Sequence, residues 1–251
     1  MDNRKHIAAL LISLFLLLPI IPARAQGDAL PEPEFVEVTA GDGIRLVGDF
    51  YALTDADSEM PTVILLHGIT SNRHEWEPLV VPLLDNGYHV LTVDQRAHGE
   101  SEGDRDLAAA IGDVQVWLDW LREQPTVADD GISIIGGSWG AVPALGGCAA
   151  DEGCVTAVAV SPGDFPLLDE ALFEQYGKRG VLFIVGRDDN VIYDTYKLFN
   201  RTSGAAAMYV YDTAAHATSL ISPRNSYRDA VIDLLLDWLR EQVEAQFAHR
   251  E

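Results

Sequence analysis

A serine framed by glycines offers the first chemistry in this chain. Gly136-Gly137-Ser138-Trp139-Gly140 follows the apolar run Ile132-Ser133-Ile134-Ile135 and leads into alanine-rich sequence from Ala141. A nucleophile held between the end of a strand and the start of a helix sits in a sharp, strained turn. Gly136 and Gly140 remove the side chains that would collide as the backbone doubles back, which leaves the hydroxyl pointing outward. A helix starting near Trp139 also aims unpaired N–H groups and the positive end of its dipole at an oxyanion forming beside the serine. Ser138 is thus the candidate nucleophile and the Trp139 N–H a candidate oxyanion donor. A serine in a purely structural turn has the same spelling, so other groups must decide.

The five-letter pattern recurs at Gly99-Glu100-Ser101-Glu102-Gly103. There the serine follows polar Gln95-Arg96-Ala97-His98 and lies between two glutamates, so Ser101 reads as a loop residue. Elsewhere, Thr62-Val63-Ile64-Leu65-Leu66 delivers His67-Gly68-Ile69-Thr70, where glycine lets backbone approach a ligand and the Ile69 N–H is the natural second oxyanion donor. His67 braces that loop. Asp94 and Arg96 supply a carboxylate and a guanidinium suited to cross-linking loops, a scaffold role.

These groups need elements to hold them. Phe35 to Thr39 alternates with period two, Gly41-Asp42-Gly43 makes a turn, and Ile44 to Tyr51 resumes, which predicts a hairpin. Continuously apolar runs follow at 62–66, 89–93, 132–135, 155–160, 181–185 and 208–211, the pattern of strands buried on both faces. Helical spacing fills the gaps at 79–84, 107–121, 139–145, 167–176, 191–199 and 227–247. The alternation predicts an α/β fold, a doubly wound and mainly parallel sheet with an N-terminal antiparallel hairpin. Sites in such sheets collect at the carboxyl ends of strands. Trp76 and Trp117 sit among apolar neighbours and are expected to pack.

With 251 residues, 48% of them hydrophobic, the chain suits one large core. Basic Arg4-Lys5-His6, the apolar stretch Ile7 to Ile21 and Ala23-Arg24-Ala25 spell a secretory signal over residues 1–25, with an uncleaved anchor as the alternative. Residues 26–34 read as an exposed arm and 35–251 as a single domain. The formal net charge is −22, and removing residues 1–25, which carry three basic residues and one acidic, makes it more negative. Such a field disfavours nucleic acid and anionic lipid as partners. Cys148 and Cys154, six positions apart, suit a disulfide in an exported chain or two buried thiols otherwise. Asn200-Arg201-Thr202 is a glycosylation sequon, meaningful in a host that modifies secreted chains.

Taken together, His67-Gly68, the Asp94 to Ser101 segment and Gly136 to Gly140 resemble the α/β-hydrolase superfamily over about residues 35–245. Ala97 replaces a usual glycine in the second motif. The resemblance implies a triad in the order nucleophile, acid, histidine. Gly186-Arg187-Asp188-Asp189-Asn190-Val191 is similar to the family's acid loop and places the acid at Asp189, with Asp188 the alternative one residue away. Asp212-Thr213-Ala214-Ala215-His216 is similar to its histidine loop, with Ala217 where glycine is frequent. His74, His89 and His98 fall outside that order and read as structural.

The implied chemistry is acyl transfer to water by Ser138, His216 and Asp189, with Ile69 and Trp139 N–H groups as the oxyanion hole and no metal or organic cofactor. The elbow is spelled like that of proline iminopeptidases. Those enzymes carry a large helical cap where Ser161 to Gly180 has room for about one short helix, so the resemblance favours a small carboxylic-ester hydrolase of the esterase or dienelactone-hydrolase kind. Peptide or thioester cleavage is the alternative, and a secreted binding protein that lost turnover is the rival of another class. The expected partner is a small-molecule ester, and the expected location is outside the cytoplasm, with no membrane contact after cleavage.

Overall fold

Runs that are apolar on both faces can be buried only in a layer covered by helices on each side. The computed structural model describes residues 30–53 and 58–248. Its strands are β1 (Glu34–Thr39), β2 (Arg45–Tyr51), β3 (Met60–Leu66), β4 (His89–Asp94), β5 (Val127–Gly137), β6 (Cys154–Val160), β7 (Val181–Gly186) and β8 (Ala206–Tyr211). They form one eight-stranded sheet in the order β1-β2-β4-β3-β5-β6-β7-β8. The β1/β2 and β2/β4 pairs are antiparallel and the others parallel. This is the doubly wound sheet with an N-terminal hairpin that the pattern predicts.

The helices are α1 (Glu77–Asp85), α2 (Leu107–Arg122), α3 (Ala141–Ala150), α4 (Glu170–Glu174), α5 (Ile192–Arg201) and α6 (Arg228–Ala248). Alternate residues of β3 show how they divide. Ile64 and Leu66 join a cluster with Trp117 and Leu118 of α2, Leu145 of α3 and Leu198 of α5. Val63 and Leu65 face the other way, onto Leu79 and Leu83 of α1 and Leu235 and Leu239 of α6. Trp76 and Trp117 are buried as expected, and the Trp76 indole N–H donates to the Leu66 carbonyl at 3.0 Å.

Several boundaries differ from the sequence reading. β5 begins five residues early, at Val127, because Met60 pairs with Val127 before a register shift brings Thr62 opposite Ile132. Asp129, Asp130 and Gly131 interrupt the apolar run and hide that extension. The helix expected over 167–176 is only α4, since the Asp169 carboxylate accepts the Leu172 N–H and caps the helix there. The helix expected from Trp139 begins instead as a 3-10 turn over Ser138–Gly140, and α3 starts at Ala141. The expected leader over 1–25 and residues 26–29 of the expected arm lie outside the described residues. Within the arm, Leu30 and Glu32 are exposed and β1 starts at Glu34.

Cys148 and Cys154 are joined by a disulfide with 5.3 Å between their α-carbons, tying the end of α3 to the start of β6. The same corner is closed by Arg179, whose guanidinium donates to the carbonyls of Cys148, Asp151 and Cys154 at 2.6, 2.6 and 3.1 Å. Cys148 and Asp151 lie where α3 ends and its carbonyls run out of helical partners, and Cys154 begins β6. The Tyr176 hydroxyl donates to the Leu145 carbonyl at 2.7 Å. Segment 161–180 is thereby held down on α3. A Cys148→Ser/Cys154→Ser double variant is expected to lose about 2 kcal/mol of unfolding free energy, the chain-entropy value for so short a loop, measured by urea titration beside the oxidised parent.

Candidate active site

The elbow is built by close approach of backbones. Leu66 at the end of β3 pairs with Gly136 near the end of β5. A Cβ at Gly140 would drive into the Leu66 and His67 carbonyls, and one at Gly136 into the Gly140 carbonyl. Ser138 itself is left-handed, φ +52°, a conformation that costs a non-glycine residue about 1–2 kcal/mol. Packing at both glycines holds it there. The same geometry brings the loop after β3 alongside, since a Cβ on Gly68 would lie 3.7 Å from that of Ser138.

The three distant side chains meet. His216 Nε2 lies 2.8 Å from Ser138 Oγ, and its Nδ1 lies 3.0 and 2.9 Å from the two carboxylate oxygens of Asp189. Asp189 stands in the loop after β7 and His216 in the loop after β8, both at the carboxyl edge of the sheet. The neighbour Asp188 is exposed, and it is Asp189 that meets the imidazole. The Asp189 carboxylate is 1% exposed against 39% for the imidazole. A ring open to solvent on one side and backed by a buried carboxylate can take a proton from the hydroxyl and be stabilised as imidazolium.

His67 is fully buried and sets one peptide of the neighbouring loop. Its Nε2 accepts the Gln95 N–H at 3.0 Å, which leaves the ring proton on Nδ1. Nδ1–H then donates to the Gly68 carbonyl at 2.7 Å. Because that peptide is trans, the Ile69 N–H on its other edge points away from His67. Burial holds the His67 pKa below the ordinary value and keeps the ring neutral. His98 lies edge-on to His67 and faces the Arg96 and Ile69 carbonyls at 2.8 and 2.7 Å. Both histidines brace this loop. Trp139 is the middle residue of the turn that Ser138 begins, and its indole meets Phe165 edge-on at 6.0 Å between centroids.

The second glycine-framed serine is locked in place. Ser101 Oγ accepts the Val47 N–H at 2.8 Å and donates to the Asp94 carbonyl at 2.6 Å. The scaffold role of the Asp94 to Ser101 segment is more specific than its sequence suggests. Buried Asp94 accepts the Arg73 N–H at 2.7 Å and pairs with the Arg73 guanidinium, while Arg96 makes a two-pronged pair with Asp113 at 2.7 Å on each side. Ala97, in place of the usual glycine, has φ +62°, and Ala217 has φ +48°.

Sequence reasoning missed three side chains. Ser161, buried just after β6, accepts the Ala217 N–H at 2.9 Å and hydrogen-bonds Asp189. Its position at a strand's carboxyl end was the available signal. Glu75 accepts the Gly68 N–H through Oε2 at 2.6 Å and the Thr218 hydroxyl through Oε1 at 2.8 Å. No periodicity or spacing marks either Glu75 or Thr218.

The charges set the proton affinities. The hydrogen bond to Asp189 raises the His216 pKa above 6.5 against partial burial, and the Asp189 and Glu75 charges add to it. Burial raises Asp189, but hydrogen bonds from His216, Ser161 and the Val191 N–H outweigh it and leave the carboxyl below 3.8. The His216 shift favours folding at low pH and is lost as pH rises through its folded pKa; the Asp189 shift works oppositely and is lost on acidification. The His216 ring is expected to titrate above 6.5 by NMR, and Asp189→Asn should move that midpoint down.

Comparison with known proteins agrees with this fold. The family model for the alpha/beta hydrolase family matches residues 63–249. The uncharacterized protein YfhR of Escherichia coli K12 is 28% identical over 240 residues, 84% of each chain. The thiohydrolase aneE of Aspergillus aculeatus is 29% identical over 149 residues, 57% of this chain and 43% of its own. The solved structure of the Pyrococcus furiosus esterase Pf2001 superposes with a TM-score of 0.72 at 24% identity, covering 88% of this chain and 99% of that one.

Proposed function

Since the chain belongs to the alpha/beta hydrolase family, we propose that it is a serine hydrolase that cleaves carboxylic esters of small molecules. The observation that carries this reading is the 2.8 Å contact of Ser138 Oγ with His216 Nε2, with Asp189 buried behind the ring. In the proposed cycle His216 removes the hydroxyl proton as Ser138 attacks the ester carbonyl, and the alcohol leaves with that proton. Water then attacks the acyl-enzyme with His216 again as base, releasing the acid. The Ile69 and Trp139 N–H groups receive the oxyanion, each worth about 3 kcal/mol of transition-state stabilisation. Besides the ester and water, this chemistry uses only groups of the chain.

Segment 161–180 supports an ester over a capped peptidase substrate. It holds one five-residue helix and is tied down onto α3 by Tyr176 and Arg179. Phe165, which meets Trp139, also borders a depression of about 490 Å³ whose walls include Asp164, Asp169, Glu170 and Arg201. The net charge of −22 favours uncharged substrates and the departure of a carboxylate product. The Cys148–Cys154 bond supports export, because disulfides persist in oxidising compartments.

Short-chain p-nitrophenyl esters test the reading. Ser138→Ala should lower hydrolysis by about a thousandfold or more and abolish labelling by a fluorophosphonate. Parental rates in that variant, or an adduct on Ser101, would overturn it. For the parent, kcat/KM should rise with pH along a limb centred above 6.5, where His216 deprotonates. A neutral ester should be cleaved faster than its analogue bearing a free carboxylate. Added salt should narrow that gap by screening the acidic surface.

A further inference from the structure

Glu75 is a carboxylate placed between the two loops that the proposed reaction must align. It belongs to neither the buried scaffold of Asp94 nor the Ser138, His216 and Asp189 set. Its Oε2 accepts the N–H of Gly68, the residue whose carbonyl is held by His67 and whose peptide carries the Ile69 N–H. Its Oε1 accepts the hydroxyl of Thr218, two residues beyond His216. One side chain therefore links the loop after β3 to the loop after β8, across the elbow.

The turn carrying Glu75 is itself held firmly. It spans Arg73–Trp76 and is capped by Asn72, which accepts the His74 N–H. Arg73 reaches Asp49 at 2.9 Å, Asp94, and Glu100 at 2.7 Å, while the Trp76 N–H grips the end of β3. Flanked by two buried anchors, Glu75 has little freedom to relax, so its two hydrogen bonds transmit position.

Resting on the serine-hydrolase reading, we propose that Glu75 is a positioning residue, setting the oxyanion loop and the histidine loop relative to each other through Gly68 and Thr218. Its charge has a second consequence. Among the described residues, Asp189 and Glu75 are charged groups that raise the His216 pKa, and both favour the imidazolium. Glu75 does so from the side of the oxyanion loop. The carboxylate thus aids proton uptake by His216 while it accepts the Gly68 N–H.

Three variants separate position from charge. Glu75→Ala removes both links, Glu75→Gln keeps an amide able to make them without the charge, and Thr218→Val removes the hydroxyl alone. Glu75→Ala is expected to lower kcat for a p-nitrophenyl ester by about tenfold, the scale of a small misalignment, with KM little changed. Glu75→Gln should restore most of kcat, while both the acid limb of kcat/KM and the NMR titration of His216 move to lower pH. Thr218→Val should lower kcat and leave the titration in place.

Parental kcat in Glu75→Ala and Thr218→Val, or a parental His216 titration in Glu75→Gln, would overturn the proposal. Should Glu75→Ala not fold, the other two variants decide. Fluorophosphonate labelling of the parent separates this result from the underlying function. A parent labelled at Ser138 with unaltered Glu75 variants sinks only the role of Glu75. A parent that neither labels nor turns over esters sinks the hydrolase reading, and the His216 titration still decides whether Glu75 acts on that ring.

Discussion

Two backbones pressed together where β3 and β5 end are the constraint on which the rest of this site depends. With Leu66 opposite Gly136, the chain after β5 has to turn directly against the Leu66 and His67 carbonyls, and only glycine at 140 leaves room. That contact forces Ser138 into its left-handed conformation and sets Gly68 beside it. A nucleophile candidate and the loop that would hold an oxyanion are thus placed by the same steric fact. Neither could shift without opening the pairing at the centre of the sheet.

The strain is not confined to the elbow. Among the described residues, the non-glycine positions with positive φ are Ala97, Ser138, Ser161 and Ala217, and each follows a strand at the carboxyl edge or the histidine it delivers. At about 1–2 kcal/mol apiece, these conformations persist only because surrounding structure over-determines them. Ser161 shows how: its left-handed turn aims a buried hydroxyl at both the Ala217 N–H and Asp189. Strain at one strand end is offset by hydrogen bonds to the next.

Electrostatics follow the same economy of placement. Inside, carboxylates are matched with guanidinium groups, Asp94 with Arg73 and Asp113 with Arg96, as buried charge requires. Around His216 the balance is uneven: Asp189 contacts the imidazole and the Glu75 charge adds to it from the segment after β3, both favouring the charged ring. The ring is therefore biased toward taking up a proton. The formal net charge of −22 makes the exterior strongly acidic, a field that repels anions.

The sequence by itself determined the order and kind of the elements, because two-sided apolar runs and helical spacing are local signals that tertiary contacts here reinforced. It also placed Ser138, His216, Asp189, Ile69 and Trp139 at strand ends, since glycine spacing at the elbow and the family's motifs are written in consecutive residues. The early start of β5 escaped it because pairing across a register shift, not hydrophobicity, holds Val127 in the sheet. Tertiary structure alone showed that Asp189, not Asp188, meets His216, that His216 reaches Ser138 while Ser101 is tied to Val47 and Asp94, and that Cys148 and Cys154 are bonded. It alone revealed Glu75, Thr218 and Ser161. Those outcomes depend on directions of side chains that are up to 143 positions apart, and only the closed sheet brings such residues within hydrogen-bonding distance.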